Sequence, residues 1–561
     1  MKFKIFILLA ITLISGCKKD FLTRMPLDQM TDNNFWTTEG NVRTFSWGFY
    51  PAYFVGYGSG YTWGSYFTGE TLNDDFAPPS PNQFTKNVPA SGGGWSFGWV
   101  KKANLFLDRV KKVPMSAEAI NHWTGVARFF RAMEYSDLVK SFGDVPWYGR
   151  VLKETETAEL YRTRDSRTLV MDSVLADFKY AADNVRAADG VKGLTVNKYV
   201  VLAYMSRNLL FEGSWQKYHN NNLVKATEYF EAAKWAANEV MTKGGYTLSS
   251  SYRGVFSSLD LLGNTETIMF RRYETALLTH SLNSYVNKEP QTGVSKDAID
   301  TYLSKDGLPI SVSPLYKGDK TINDVMTDRD PRLTETFVNQ IRLNGDAISY
   351  STSGYACQKF LNEAIKDQIN GNGSLNDTDA PVIRLGEVLV NYAEACAELG
   401  TMTQTDLDNS IKKLRQRPGI NMPVLQVIGN LPAINGVVYD DPKRDQTVPS
   451  LIWEIRRERR VELMMEGFRY ADLRRWKKLN YTDTQLNKDI NRGAWIVKAA
   501  WPKAKDVTIE NNAAAGYIVP AWKPESQRAF IDAKVYLSPL PLDQITLYKA
   551  QGVELTQNPG W

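Results

Sequence analysis

The sequence predicts a mainly α-helical body with long irregular loops and few short strands. First, apolar residues return at the three-then-four spacing of amphipathic helices over 99–112, 117–140, 164–188, 197–211, 224–241, 383–398 and 406–417. Second, the connections between successive helices are short, which makes them antiparallel neighbours in an α-solenoid arrangement. Third, residues 245–380 lose this periodicity and read as irregular chain, with Ile268, Met269 and Phe270 as one short strand.

The chain opens with a secretory signal. Lys2 and Lys4 precede an apolar run over 5–14, which is shorter than the roughly 20 residues a bilayer span needs. Ser15 and Gly16 then lead into Cys17, the pattern of a bacterial lipobox, so residues 1–16 are expected to be removed and Cys17 acylated. The alternative is an ordinary signal peptide cut near Gly16. Residues 17–40 read as a lipid-anchored tether and the start of the fold, and 41–561 as one binding domain. Removing 1–16 takes two lysines and no acids, lowering the formal charge from +5 to +3. That near-neutral balance argues against nucleic acid or another polyanion as partner. Of the three cysteines, Cys17 is assigned to lipid; Cys357 and Cys396 are expected to be free and buried, with a pair between them as the alternative.

Residues 45–100 concentrate aromatic side chains. Phe45 with Phe49, and Tyr50 with Tyr53 and Phe54, have helical spacing and read as core. From Gly56 to Gly69 glycines break the helix, and rings on such a loop cannot all be buried. Tyr61, Trp63 and Tyr66 are therefore candidates to present a flat apolar face to a sugar ring. Asn73, Asp74 and Asp75, behind Glu70, supply the carboxylates and amide that a hydroxyl-rich ligand requires. Trp95, with Arg271 and Tyr273 on the later loop, completes the candidate set.

The stretch 451–479 organises the rest. Val461, Met464 and Met465, Phe468, Ala471, Trp476 and Leu479 mark one helical face, about 43 Å long as a single helix. Glu454 with Arg457, Arg459 with Glu462, Glu466 with Arg469 and Asp472 with Arg475 stand at helical neighbour distances, reading as a solvated charged face. Gly467 costs about 1 kcal/mol relative to alanine in a helix, so a kink or a break is expected there. The interleaved acids exclude a phosphate-binding helix.

Arg459 to Leu463, Glu466 to Arg469 and Asp472 to Trp476 resemble a motif near the C-terminus of the RagB/SusD family. Ala127 to Ala132 with Asp137 to Val139 and Phe142 to Pro146 resembles a second family motif. Asp306 to Pro309 with Asp328 to Leu333 is similar to a third. Asn34 to Trp36 near the start, with Tyr536 to Pro541 and Gln557 to Trp561 at the end, extend the resemblance over essentially the whole mature chain. It implies a SusD-like fold with tetratricopeptide-like helix pairs. It also implies a surface-exposed, lipid-anchored outer-membrane protein that binds an oligosaccharide or polysaccharide and works with a SusC-like TonB-dependent transporter.

Nothing in the sequence points to catalysis. His122, His219 and His280 lack metal-ligand neighbours at helical spacing, so no metal and no cofactor are expected. The glycines around Ser59 do not flank it as a nucleophile elbow requires. Asn372 to Asp379 has calcium-loop ingredients but not the spacing or the closing glutamate, and reads as a polar loop. Arg329 and Arg332 are expected to hold loops together. The rival readings are a peptide or other nutrient binder on the same scaffold, a lipid-anchored glycoside hydrolase, and a purely structural transporter partner.

Overall fold

The computed structural model describes residues 32–64, 66 and 72–561. The signal peptide, Cys17 and Glu70 lie outside the described residues. Helix α1 (Glu39–Trp47) begins at the Thr38 cap and is followed by a single turn, Tyr50–Tyr53. The scaffold comprises α2 (Gly98–Val110), α3 (Ala117–Phe142), α4 (Arg167–Asn184), α5 (Lys198–Tyr218) and α6 (Leu223–Lys243). Later in the chain come α7 (Leu385–Glu398), α8 (Ser450–Glu462) and α9 (Arg469–Arg475). Local chemistry sets these ends. Ser116, Ser166, Asn197 and Asn222 each accept a backbone N–H in the first turn of the helix that follows. Gly143, at φ +74°, stops α3.

From α2 to α8 each helix packs on the next, the row of helix pairs expected from the short connections. Between α6 and α7 runs the irregular half. Its strand β1 (Thr267–Arg271) pairs antiparallel with β2 (Ala380–Arg384), so Ile383 and Arg384 belong to a strand and not to the following helix. A small sheet joins β3 (Gln426–Ile428), β4 (Leu431–Ile434) and β5 (Val437–Val438), and β6 (Trp495–Val497) pairs with β7 (Ala515–Tyr517). Within 245–380, expected as irregular chain, the segment after β1 contains the short helix Leu282–Lys288.

Two large apolar cores result, one among the helices and one beneath the loops. Helix α8 joins them: Leu451, Ile452 and Ile455 lie in the first, while Val461, Met464 and Met465 lie in the second. Its charged face is not solvated. Glu454, Glu458, Arg459, Arg460 and Glu462 are all buried, and most of their partners come from other parts of the chain. Arg457 bonds Glu454 and Arg475 bonds Asp472 as the spacing suggests. Arg459 instead reaches Asp472 and Asn391, Glu462 meets Arg332, Arg384 and Arg417, and Arg469 reaches Asp74. Arg332 is itself buried against Asp330 and Glu458, and Arg329 donates to the carbonyls of Val325, Ile299 and Tyr302. Both arginines tie loops together. Cys357 and Cys396 are free and buried.

Candidate functional site

The glycine-rich loop after Tyr53 folds back on itself. Gly64 sits at φ +60°, and a Cβ there would overlap the Gly56 carbonyl, so only glycine fits. Trp63 takes φ +57°, a left-handed conformation that costs a residue with a Cβ about 1–2 kcal/mol. It is held by its surroundings: the indole N–H donates to Ser281 Oγ at 2.8 Å, and the ring lies 4.0 Å from that of Tyr285. Strain maintained in this way marks a position worth testing for function.

Beneath this loop an aromatic knot forms. Tyr57 donates to the Phe256 carbonyl at 2.7 Å, and Tyr273 donates to that of Gly58 at 2.8 Å. Tyr66 donates to the carbonyl of Pro381. Burial pushes the phenols of Tyr57, Tyr66 and Tyr273 above their ordinary range. His280 packs edge-on against Tyr57 and Tyr273, and burial holds its pKa down at about 4. Its Nδ1 accepts from the Leu282 N–H, so Nε2 carries the proton and donates to Thr378 O at 2.9 Å. Arg271 donates to the Val55 carbonyl at 2.7 Å.

One ring escapes this packing. Tyr61, at the tip of the loop, is 67% exposed, and its hydroxyl lies close to Gly373. The 369–379 loop thereby borders it. There Asp377 accepts from Asn370 at 3.0 Å and from Thr275 at 2.9 Å, and Asn372 accepts from Lys288 at 2.6 Å. The Gly373 N–H donates to Ser284 Oγ, which fixes this loop to the short helix carrying Tyr285. The result is an exposed phenol ring beside half-buried amides and a carboxylate, the equipment for stacking on a sugar and bonding its hydroxyls.

The other expected residues lie elsewhere. Asp74 accepts both oxygens' worth of hydrogen bonds from Arg469, each at 2.7 Å, and Arg460 bonds Asp75 at 2.8 Å. Burial opposes ionisation of Asp74, but Arg460 and Arg469 overcome it and hold the carboxyl at about 2. For Asp75 burial prevails, aided by the charge of Asp74, and its pKa rises. The carbonyl of Asn73 accepts from Arg528 at 2.7 Å. All three are buried, so they serve as anchors of the loop and not, in this arrangement, as a ligand surface. Trp95 packs edge-on against Phe97 and Phe142 in the helical core. Ser281, Tyr285, Asn370, Gly373 and Asp377 were not among the expected site residues. A polar loop over 372–379 was legible, but nothing local in the sequence sets it beside Tyr61.

A cavity of about 170 Å³ lies below the loop, lined by Tyr53, Gly56, Tyr66, Arg207, Glu387 and Phe468. Sites that enclose a small organic ligand run to roughly 300–1,000 Å³. Here Arg207 is also paired in bidentate fashion with Glu387, both bonds 2.6 Å.

The sequence pattern of the SusD family matches residues 265–561. A SusD-like protein of Formosa agariphila is 22% identical over 496 residues, covering 84% of this chain and 90% of that one. Among solved structures, a SusD-like carbohydrate-binding protein of Bacteroides fragilis superimposes with a TM-score of 0.67 at 22% identity, over 91% of this chain and 99% of that one. A laminarin-binding SusD-like protein gives 0.55 at 16% identity, over 93% and 99%. At these identities the likeness establishes a shared fold, mostly helical with few short strands.

Proposed function

Because this chain belongs to the SusD family, we propose that it is a cell-surface glycan-binding lipoprotein that captures oligosaccharide or polysaccharide and passes it to a SusC-like TonB-dependent transporter. The observation that carries the glycan assignment is Tyr61, an exposed ring whose hydroxyl lies close to Gly373 of the polar 369–379 loop. The carbohydrate and laminarin binding named for its structural relatives supports the same class of ligand. Trp63, packed on Tyr285 and bonded to Ser281, holds the loop that carries Tyr61, and Asn370, Asn372 and Asp377 supply hydrogen bonds. The site binds without breaking bonds. Around it, His280 has both ring nitrogens engaged, and Asp379 accepts backbone N–H groups from Leu261 and Tyr273. Residues 41–561 act as one binding unit, held at the outer membrane by lipid on Cys17.

An array of immobilised oligosaccharides and polysaccharides, probed with the purified protein, tests this reading. Tyr61→Ala is expected to weaken retention about tenfold, the size of truncating an aromatic anchor, with an unchanged melting temperature. Undiminished binding by Tyr61→Ala would remove the platform from the site. Release of reducing sugar from a bound polysaccharide would overturn binding without cleavage. Retention of peptides and no sugars would reverse the ligand class.

A further inference from the structure

A second feature has the build of a ligand site and shares no residue with the Tyr61 face. Between the chain around 484–492, the 508–512 segment before β7 and the 519–527 segment after it lies an open cleft of about 420 Å³, within the size range of small-molecule sites. Its frame is fixed. Asn491 exchanges two hydrogen bonds with the backbone of Ala521, at 2.9 and 3.0 Å, and Thr484 exchanges backbone and hydroxyl bonds with Arg528. The Val519 N–H donates to Thr508 O at 2.8 Å, and Arg492 is tied to Glu510 and Asp489.

The tips of the lining differ from the frame. Trp522 is 55% exposed, the most exposed of the described tryptophans. Asn511 and Asn512 both adopt left-handed backbone, at φ 58° and 52°. Among the described residues, the side chains of Gln485, Lys488, Asn511 and Asn512 and the indole N–H of Trp522 have no hydrogen-bond partner. The buried Nε of Arg492 has none either. The indole, with Lys523 Nζ 5.5 Å from its ring centroid, thus stands with amides and an ammonium over this frame. Amides each offer both donor and acceptor, which matches vicinal hydroxyls, and an indole offers an apolar face to the C–H side of a sugar ring.

We propose that the Trp522 cleft is a second carbohydrate-binding site, in which an oligosaccharide segment stacks on Trp522 and is hydrogen-bonded by Gln485, Asn511 and Asn512. This rests on the reading of the protein as a glycan binder. Two sites on one chain hold a long polymer more tightly than either alone, because the second contact is intramolecular.

The test uses the same array, carrying neutral and uronate-bearing oligosaccharides of graded length, with Trp522→Ala, Gln485→Ala, Tyr61→Ala and the Trp522→Ala/Tyr61→Ala double variant. Both cleft substitutions are at exposed positions and should leave the melting temperature unchanged. The expected result is about tenfold weaker retention of the longest glycans by Trp522→Ala, a smaller loss by Gln485→Ala, and loss of all binding in the double variant. If both cleft variants match the unchanged protein on every glycan while Tyr61→Ala does not, the second site is overturned and the first stands. If the unchanged protein binds no glycan at all, the reading of the function falls and this site falls with it.

Discussion

Glu462 shows what individual residues do in this molecule. Its carboxylate is fully buried and accepts from Arg384 at 2.7 Å, Arg417 at 3.0 Å and Arg332 at 3.1 Å. Burial alone would raise its pKa, yet the three guanidiniums hold it at about 2. It sits in a connected set in which Arg332, Arg384, Arg415, Arg417 and Lys359 face Asp330, Glu266, Glu458, Glu462 and Glu466, one acid for each base. Such a set stabilises only while complete, because removing one partner strands a buried charge. Glu462→Gln is therefore expected to cost about 3–5 kcal/mol, read as a lower denaturant midpoint. A loss under 1 kcal/mol would show that the set tolerates a missing charge. None of this pairing was legible from helical spacing. The partners of Glu462 stand 130, 78 and 45 residues away in the chain. Spacing within a helix shows only which charges are neighbours on its surface, and two of the four expected pairs formed.

At the scale of elements, the instructive feature is the gap between α8 and α9. The apolar period runs on through 463–468, but the backbone does not: Met465 takes φ +69° and Gly467 φ +83°. The turn folds α9 back so that Asp472 meets Arg459 at 2.8 Å, a contact between the two helices that one straight rod would not make. Gly467 signalled the break in the sequence. Gly467→Ala is expected to destabilise the protein by about 1–2 kcal/mol, seen as a lower melting temperature, because alanine resists this backbone region. An unchanged melting temperature would mean that the turn relaxes freely. Helix positions were legible because each buries one stripe of apolar side chains. Their ends were less so: α5 runs on through Gly213 to Tyr218, well past 211, since residues 211–216 are buried as well and packing outweighs the glycine.

The whole molecule is a row of helix pairs and a loop-covered second core, joined through α8. This architecture was legible because the motifs resembling the SusD family recur from start to end of the chain. The candidate site was much less so, since Trp63 and its partner Ser281 are 218 residues apart and only the fold brings them together. Composition drew attention to residues 61–75 but could not separate Tyr61, which faces solvent, from Asp74, which is locked to Arg469. The proposed placement at the membrane rests on Cys17. In Cys17→Ala the protein is expected to leave the membrane fraction for the soluble one, and to stop co-purifying with a TonB-dependent transporter from detergent extracts. Unchanged membrane partition in that variant would point to attachment by other means.

The two buried thiols have a practical consequence. Burial raises both Cys357 and Cys396 to about 12, leaving almost no thiolate at neutral pH and no path for a reagent to reach one. With Cys17 assigned to the proposed lipid anchor, a cysteine introduced on the surface becomes the single handle for a fluorophore. Arrival of ligand beside Tyr61 or Trp522 can then be followed optically without first stripping the native cysteines from the chain.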